Sequence, residues 1–323
     1  MRRTRSSIAA LSVASLILGV ACAGTPSPTG SDGASGPSEP GRTTVPSAFP
    51  VRIVDDDGVS VTIAAEPRRI ITFAPSATEI VFALGLGERL VGVSGPFDDH
   101  PPEAREIQQV GGAGDFGVDP NIEQVVASQP DLFLTIKGGD QWKDRLRDLD
   151  VTVVTLDATD LDDLLDDILV VGRITGTVPE ADALVSELED QAREVAEAID
   201  GLPAVPCFYE TFYPPLYTVG PGTFIFDLLE RAGCDPVTAS ADLQYPEWSV
   251  EDLIRQDPAV YLVSSESGAS ARAVARRPGF DAVTAVADGK VVPVDADLAE
   301  RPGPRVVRGL RLLAEALHPD AFA

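Results

Sequence analysis

The sequence predicts an α/β protein of two lobes, each with a mostly parallel sheet flanked by helices, connected by a single long interdomain helix. Three observations carry this. Short β-branched apolar runs alternate with helical stretches along most of the chain, the signature of βα units around a parallel sheet. The alternation pauses once, at a long amphipathic stretch from Pro179 to Ile199, and then restarts. The segment Asn121–Leu134 also aligns without a gap on Ser249–Leu262, so the two halves repeat a structural unit. With 323 residues the chain can bury a sizeable core, and its 44% hydrophobic and 24% charged residues exclude both wholesale disorder and a polytopic membrane protein. The 51 acidic against 25 basic residues leave a net charge of −26, which repels nucleic acid. Two histidines and three cysteines are a poor supply of soft ligands, and no resident metal or cofactor is expected.

The elements follow in order. Arg2, Arg3 and Arg5 precede an apolar run from Ile8 to Ala21 that is too short for a typical span, so residues 1–21 read as a signal peptide. It ends at Leu18-Gly19-Val20-Ala21-Cys22, which resembles the bacterial lipobox, and Cys22 is the expected lipidation site. Residues 22–48 are rich in Gly, Ser, Thr and Pro, a composition that reads as a disordered tether behind the lipid anchor. The folded body starts at residue 49. Val51–Val54 and Val59–Ile63 flank Asp57-Gly58, a strong hairpin signal.

An N-terminal lobe over residues 49–175 then alternates strands at Ile70–Phe73, Leu90–Ser94, Leu132–Ile136 and Val151–Leu156 with helices at Thr78–Leu84, Ile122–Ser128, Trp142–Leu149 and Leu161–Ile174. The connecting helix occupies 176–202, opened by Pro179 at an early helical position and closed by Gly201. The C-terminal lobe, 203–323, has strands at Val205–Tyr209, Val260–Ser264 and Lys290–Val294, and helices at Thr223–Ala232, Val250–Arg255 and Arg305–Leu317. In the repeat, good N-caps (Asn121, Ser249) precede Glu123 and Glu251 in a first helical turn, where the helix dipole favours an anion. Cys207 and Cys234 bracket one βα unit of an exported chain and allow either a disulfide or two buried thiols.

The runs Arg69-Ile-Ile-Thr-Phe-Ala-Pro-Ser-Ala-Thr-Glu-Ile80, Ala83–Ser94, Pro120–Leu134, Pro214–Gly222, Tyr245-Pro-Glu-Trp-Ser-Val-Glu251 and Pro304-Arg305 together resemble the solute-binding proteins of ABC importers for metal chelates, the group that takes up vitamin B12, ferric siderophores and haem. The resemblance extends from Val51 to Pro319. It implies a monomeric receptor on the outer face of the cell membrane, with ligand in the interlobe cleft, little hinge closure, and an ABC permease with its ATPase subunits as partner. It maps the permease-docking carboxylates, one per lobe, to Glu123 and Glu251. In the vitamin B12 binders an Asp-x-x-x-Arg pattern follows the last strand, matched here by Asp297 and Arg301; Phe97, Phe116, Tyr213, Tyr245 and Trp248 occupy loops that supply aromatic walls, and Lys137 ends a strand just before Gly138-Gly139. Acidic siderophores call for several cations in the cleft. With only Arg301 and Lys137 evident there, cobalamin or another corrinoid is favoured, with a ferric hydroxamate or haem as the alternative.

An extracytoplasmic hydrolase is the alternative from another class. Gly111–Gly117 lacks the Lys-Ser/Thr of a phosphate loop, no Gly-x-Ser-x-Gly elbow occurs, and His100 and His318 are the only histidines. The expectation is a binding protein, not an enzyme.

Overall fold

The computed structural model describes residues 49–112 and 119–323. Cys22 and Phe116 therefore lie outside the described residues. The body opens with an antiparallel hairpin of β1 (Val51–Val54) and β2 (Ser60–Ile63), turned at Gly58 with φ of +75°. Three consecutive aspartates in that turn plug it into the first lobe. Asp55 accepts from the backbone N–H of Thr155, Asp56 from that of Asp157, and Asp57 from the ammonium of Lys143 at 2.7 Å. Lys143 is fully buried, so this ion pair replaces the hydration its charge has lost.

The first lobe is a parallel sheet in the order β4-β3-β5-β6, formed by β3 (Ile70–Phe73), β4 (Leu90–Val93), β5 (Leu132–Thr135) and β6 (Val153–Thr155). Helices α1 (Pro75–Ala83), α2 (Ile122–Ala127), α3 (Asp140–Asp148) and α4 (Leu161–Thr175) complete its βα units. Strands buried on both faces, such as Leu132–Thr135, read as unbroken apolar runs for that reason. α1 begins three residues earlier than the sequence predicts, because Pro75 fits the first turn, where its missing N–H costs no hydrogen bond.

Gly176, at φ +78°, caps α4 and turns the chain into α5 (Val178–Ala198), the connection between the sheets. The second sheet runs β11-β10-β7-β8, with β9 also paired to β7. Its parallel members are β7 (Val205–Phe212), β9 (Cys234–Pro236), β10 (Val260–Ser264) and β11 (Val291–Val294), while β8 (Tyr217–Thr218) is antiparallel. Cys207 and Cys234 are joined as a disulfide that ties β7 to β9, their Cα atoms 5.8 Å apart. Helices α6 (Phe224–Arg231), α7 (Val250–Gln256), the single turns α8 (Ala271–Val274), α9 (Thr284–Ala287) and α10 (Ala296–Ala299), and α11 (Val306–Leu317) surround it.

One hydrophobic core runs through both lobes. Ile70 and Leu132 of the first sheet, Ile168 of α4, Leu188 of α5, Leu310 of α11 and Tyr209 of the second sheet belong to the same buried cluster. Two polar ties reinforce it. Arg305, at the start of α11, donates twice to the buried carboxylate of Glu79 on α1, at 2.8 and 2.6 Å. Asp227 of α6 accepts from the N–H of Leu161 at 3.0 Å, and Arg231 bridges Asp227 and Asp162. Among the described residues no helix is long and apolar enough to cross a membrane.

Candidate ligand-binding cleft

Parallel strands deliver their C-terminal ends to one edge, and the loops that follow build the site there. A cleft of about 570 Å³ opens at that edge. The first lobe contributes Phe73 and Pro75 from the β3–α1 turn, Ser94 and Phe97 after β4, and Ile136 to Gly139 after β5. The second lobe contributes Glu266 after β10, then Asp297, Glu300 and Arg301 after β11. Trp142 of α3 forms part of the wall, its ring 5.6 Å from Phe73 and 5.8 Å from Phe133. Gly139 makes this possible: its φ is +73°, and a Cβ there would overlap the indole.

The polar groups are already paired in a definite way. Arg301 meets Asp297 at 2.5 Å, donates to the carbonyl of Phe97 at 3.2 Å and lies 3.5 Å from Asp99, so it straps one lobe to the other. Burial works to raise the Asp99 carboxyl, but Arg105 and Arg301 outweigh it and hold it below the usual range. Glu300 accepts on Oε1 from the hydroxyls of Tyr209 at 2.7 Å and Ser264 at 2.5 Å. Lys137 is mostly exposed and lies 3.7 Å from Asp157.

A larger hollow of about 710 Å³ lies against α4 and α5, walled by Asp56, Asp163, Asp166, Asp167 and Asp182 among others. It has no aromatic wall, and no group of three potential ligands suited to a metal occurs among the described residues. Aromatic and apolar surface with a few placed polar groups favours the interlobe cleft as the small-molecule site.

The structure brings Phe97, Lys137, Asp297 and Arg301 together in this cleft. Tyr245 is 59% exposed, yet its phenol is pushed up, first by loss of water around the hydroxyl and then by the carboxylates of Glu300 and Asp157. Tyr245 is not among the residues that line the cleft. Tyr213 and Trp248 go elsewhere: Tyr213 stacks on Arg277 at 3.9 Å and meets Phe280 edge-on, and Trp248 packs on the same second-lobe core. Arg277 is itself held by two bonds to the fully buried Glu210.

Glu123 and Glu251 are exposed in the first turns of α2 and α7, and neither makes a hydrogen bond or ion pair among the described residues. Asn121 and Ser249 cap these helices, accepting from the N–H of Gln124 and Asp252. A helix packed between parallel strands runs against them, so these N-termini fall on the same edge as the cleft. Reading the sequence missed Phe73, Trp142, Glu266 and Glu300. The signal for Trp142 was its place just after Gly138-Gly139; that for Glu300 was its place beside Arg301.

Comparison with known proteins agrees with this architecture. Residues 70–298 match the family model described as periplasmic binding protein. The Bacillus subtilis (strain 168) protein named "Uncharacterized ABC transporter substrate-binding lipoprotein YvrC" is 33% identical over 285 residues, covering 85% of this chain and 87% of the relative. A "Cobalamin-binding protein" of Halobacterium salinarum is 32% identical over 282 residues, covering 84% and 75%. Among solved structures, an "ABC-type Fe3+-hydroxamate transport system" from Saccharomonospora viridis superposes with a TM-score of 0.70 at 27% identity, covering 84% of this chain and 99% of that one. With two lobes open at a shared edge, a family match over most of the folded body and relatives along nearly its whole length, the chain belongs to the periplasmic binding protein family.

Proposed function

We propose that the protein is the substrate-binding lipoprotein of an ABC importer, held outside the cell membrane by lipid on Cys22, and that it captures a corrinoid in the interlobe cleft. The observation that carries the ligand is the cleft itself. Phe73, Phe97, Ile136 and Trp142 offer broad apolar surface, while Arg301 and Lys137 are its only cations among the described residues. A flat macrocycle edged with carboxamides suits such walls, and a polyanionic chelate does not. Asp297 and Arg301, in the spacing of the vitamin B12 binders, sit where they would anchor the rim of the ligand. The 32% identity to a cobalamin-binding protein supports the same choice. A ferric hydroxamate, which also needs few cations, is the second reading, favoured by the Saccharomonospora structure.

Delivery follows from Glu123 and Glu251. One unpaired carboxylate per lobe, on the edge where the cleft opens, suits docking onto paired arginines of a permease, which would steer encounter and fix orientation. The absorption spectrum of protein purified from its native host tests the ligand. A retained corrinoid spectrum is expected; a haem or ferric-hydroxamate spectrum, or colourless protein that takes up no added corrinoid, would overturn the assignment. Mass spectrometry should find the mature chain beginning at an acylated Cys22, and an unmodified N-terminus further along would refute the anchor.

A further inference from the structure

We propose that Glu300 is a fixed anionic acceptor that sets the charge preference of the cleft, admitting neutral or cationic chelates that carry N–H donors and rejecting anionic ones. This rests on the reading of the cleft as the chelate site and names the class of chelate it takes.

Glu300 follows α10 directly and faces the cleft. Its Oε1 receives two hydroxyl donors from beneath, Tyr209 on β7 and Ser264 at the end of β10. Both strands are central in the second sheet and both donor residues are buried, so the carboxylate is aimed by rigid elements. Two donors on one oxygen hold the carboxylate in one orientation. Burial and then the Glu300 charge push the Tyr209 phenol well above its usual range, which keeps it a donor.

Neither cation of the cleft neutralises Glu300. Arg301, its neighbour in sequence, is committed to Asp297, Asp99 and the Phe97 carbonyl, and Lys137 lies against Asp157. Oε2 accepts no hydrogen bond among the described residues and is free to receive a donor from a ligand. Asp119 and Glu266 line the same space, so four carboxylates face two cations there. In a partly dry cleft a like charge on the ligand is repelled far more than in water. A carboxamide N–H or an ammonium, by contrast, supplies the donor that Oε2 lacks.

The test uses two probe series matched in shape and differing in charge. One is cyanocobalamin beside its derivative with one side-chain carboxamide hydrolysed to a carboxylate. The other is a single ferric trihydroxamate bearing an ammonium, an acetamide or a succinate tail. The wild type should bind the less negative member of whichever series it accepts roughly tenfold more tightly at low salt, with the ratio shrinking at high salt. Glu300→Gln keeps the shape and removes the charge, and it should bring that ratio close to parity. An unchanged ratio in Glu300→Gln, or a wild type that prefers the anionic member, would refute the charge filter while leaving the chelate reading intact. A wild type that binds neither series overturns that reading and the filter together. If Glu300→Gln does not fold, Ser264→Ala carries the same test: loosening the carboxylate should lower the ratio severalfold, and an unchanged ratio refutes the proposal.

Discussion

Replacing Asp167 with asparagine should remove a pH-dependent cost from the native state. Asp167 lies on α4 at 7% exposure, beside Asp56 in the turn of the N-terminal hairpin. Burial, then the charge of Asp56 and a hydrogen bond to it, push the Asp167 carboxyl up to about 8. In the unfolded chain an aspartate titrates near about 3.9. The native state therefore keeps a proton that the unfolded chain releases above about pH 4, so stability falls as pH rises from there to about 8 and levels off beyond. At 1.36 kcal/mol per pH unit the loss reaches roughly 4 kcal/mol by pH 7. Asparagine carries no charge and its amide still donates to Asp56. The variant should match the wild type near about pH 4 and exceed it by roughly 4 kcal/mol at neutral pH. Urea unfolding followed by far-ultraviolet circular dichroism, repeated across this range, reads the difference. Contributions from carboxylates distant from Asp167 cancel in that subtraction. A difference that stays flat with pH would refute Asp167 as the titrating group.

Glu79→Ala strands the Arg305 guanidinium between the lobes and should cost roughly 3–5 kcal/mol in equilibrium unfolding; a loss below about 1 kcal/mol would contradict a structural role for this tie. Changing Glu123 and Glu251 together to alanine should leave corrinoid affinity unchanged and sharply reduce uptake in a reconstituted importer, and wild-type uptake would refute the docking assignment. Reducing the Cys207–Cys234 bridge, which joins residues 27 apart in sequence, should lower stability by about 3 kcal/mol. Labelling of the denatured, unreduced chain should find neither thiol.

Periodicity reached the scaffold because its long elements are locally encoded. The unbroken apolar runs of β3, β5 and β10 and the amphipathic stripe of α5 state their own structure. The single turns α8 to α10 do not, since four residues give no period to read, and β9 carries Pro236, which argues against a strand unless it sits at an edge. Within the site, Asp297 and Arg301 were legible because they match the Asp-x-x-x-Arg pattern that follows the last strand in the vitamin B12 binders they resemble. Tyr213 and Trp248 look the same in sequence as a cleft aromatic. What takes Tyr213 away is Arg277, fixed on buried Glu210 and reached only through the fold, while Trp248 packs on the second-lobe core. Glu300 was hidden for the same reason: the hydroxyls that aim it come from β7 and β10, far off in the chain.

Titration of the purified protein with cyanocobalamin, alongside Asp297→Ala and Arg301→Ala, tests capture in the interlobe cleft most directly. One equivalent should bind saturably to the wild type, and both variants should bind at least roughly tenfold more weakly while keeping the far-ultraviolet circular dichroism of the folded protein, since each loses a charge-assisted contact to the ligand. Absence of saturable binding to the wild type, or unchanged affinity in both variants, would contradict it.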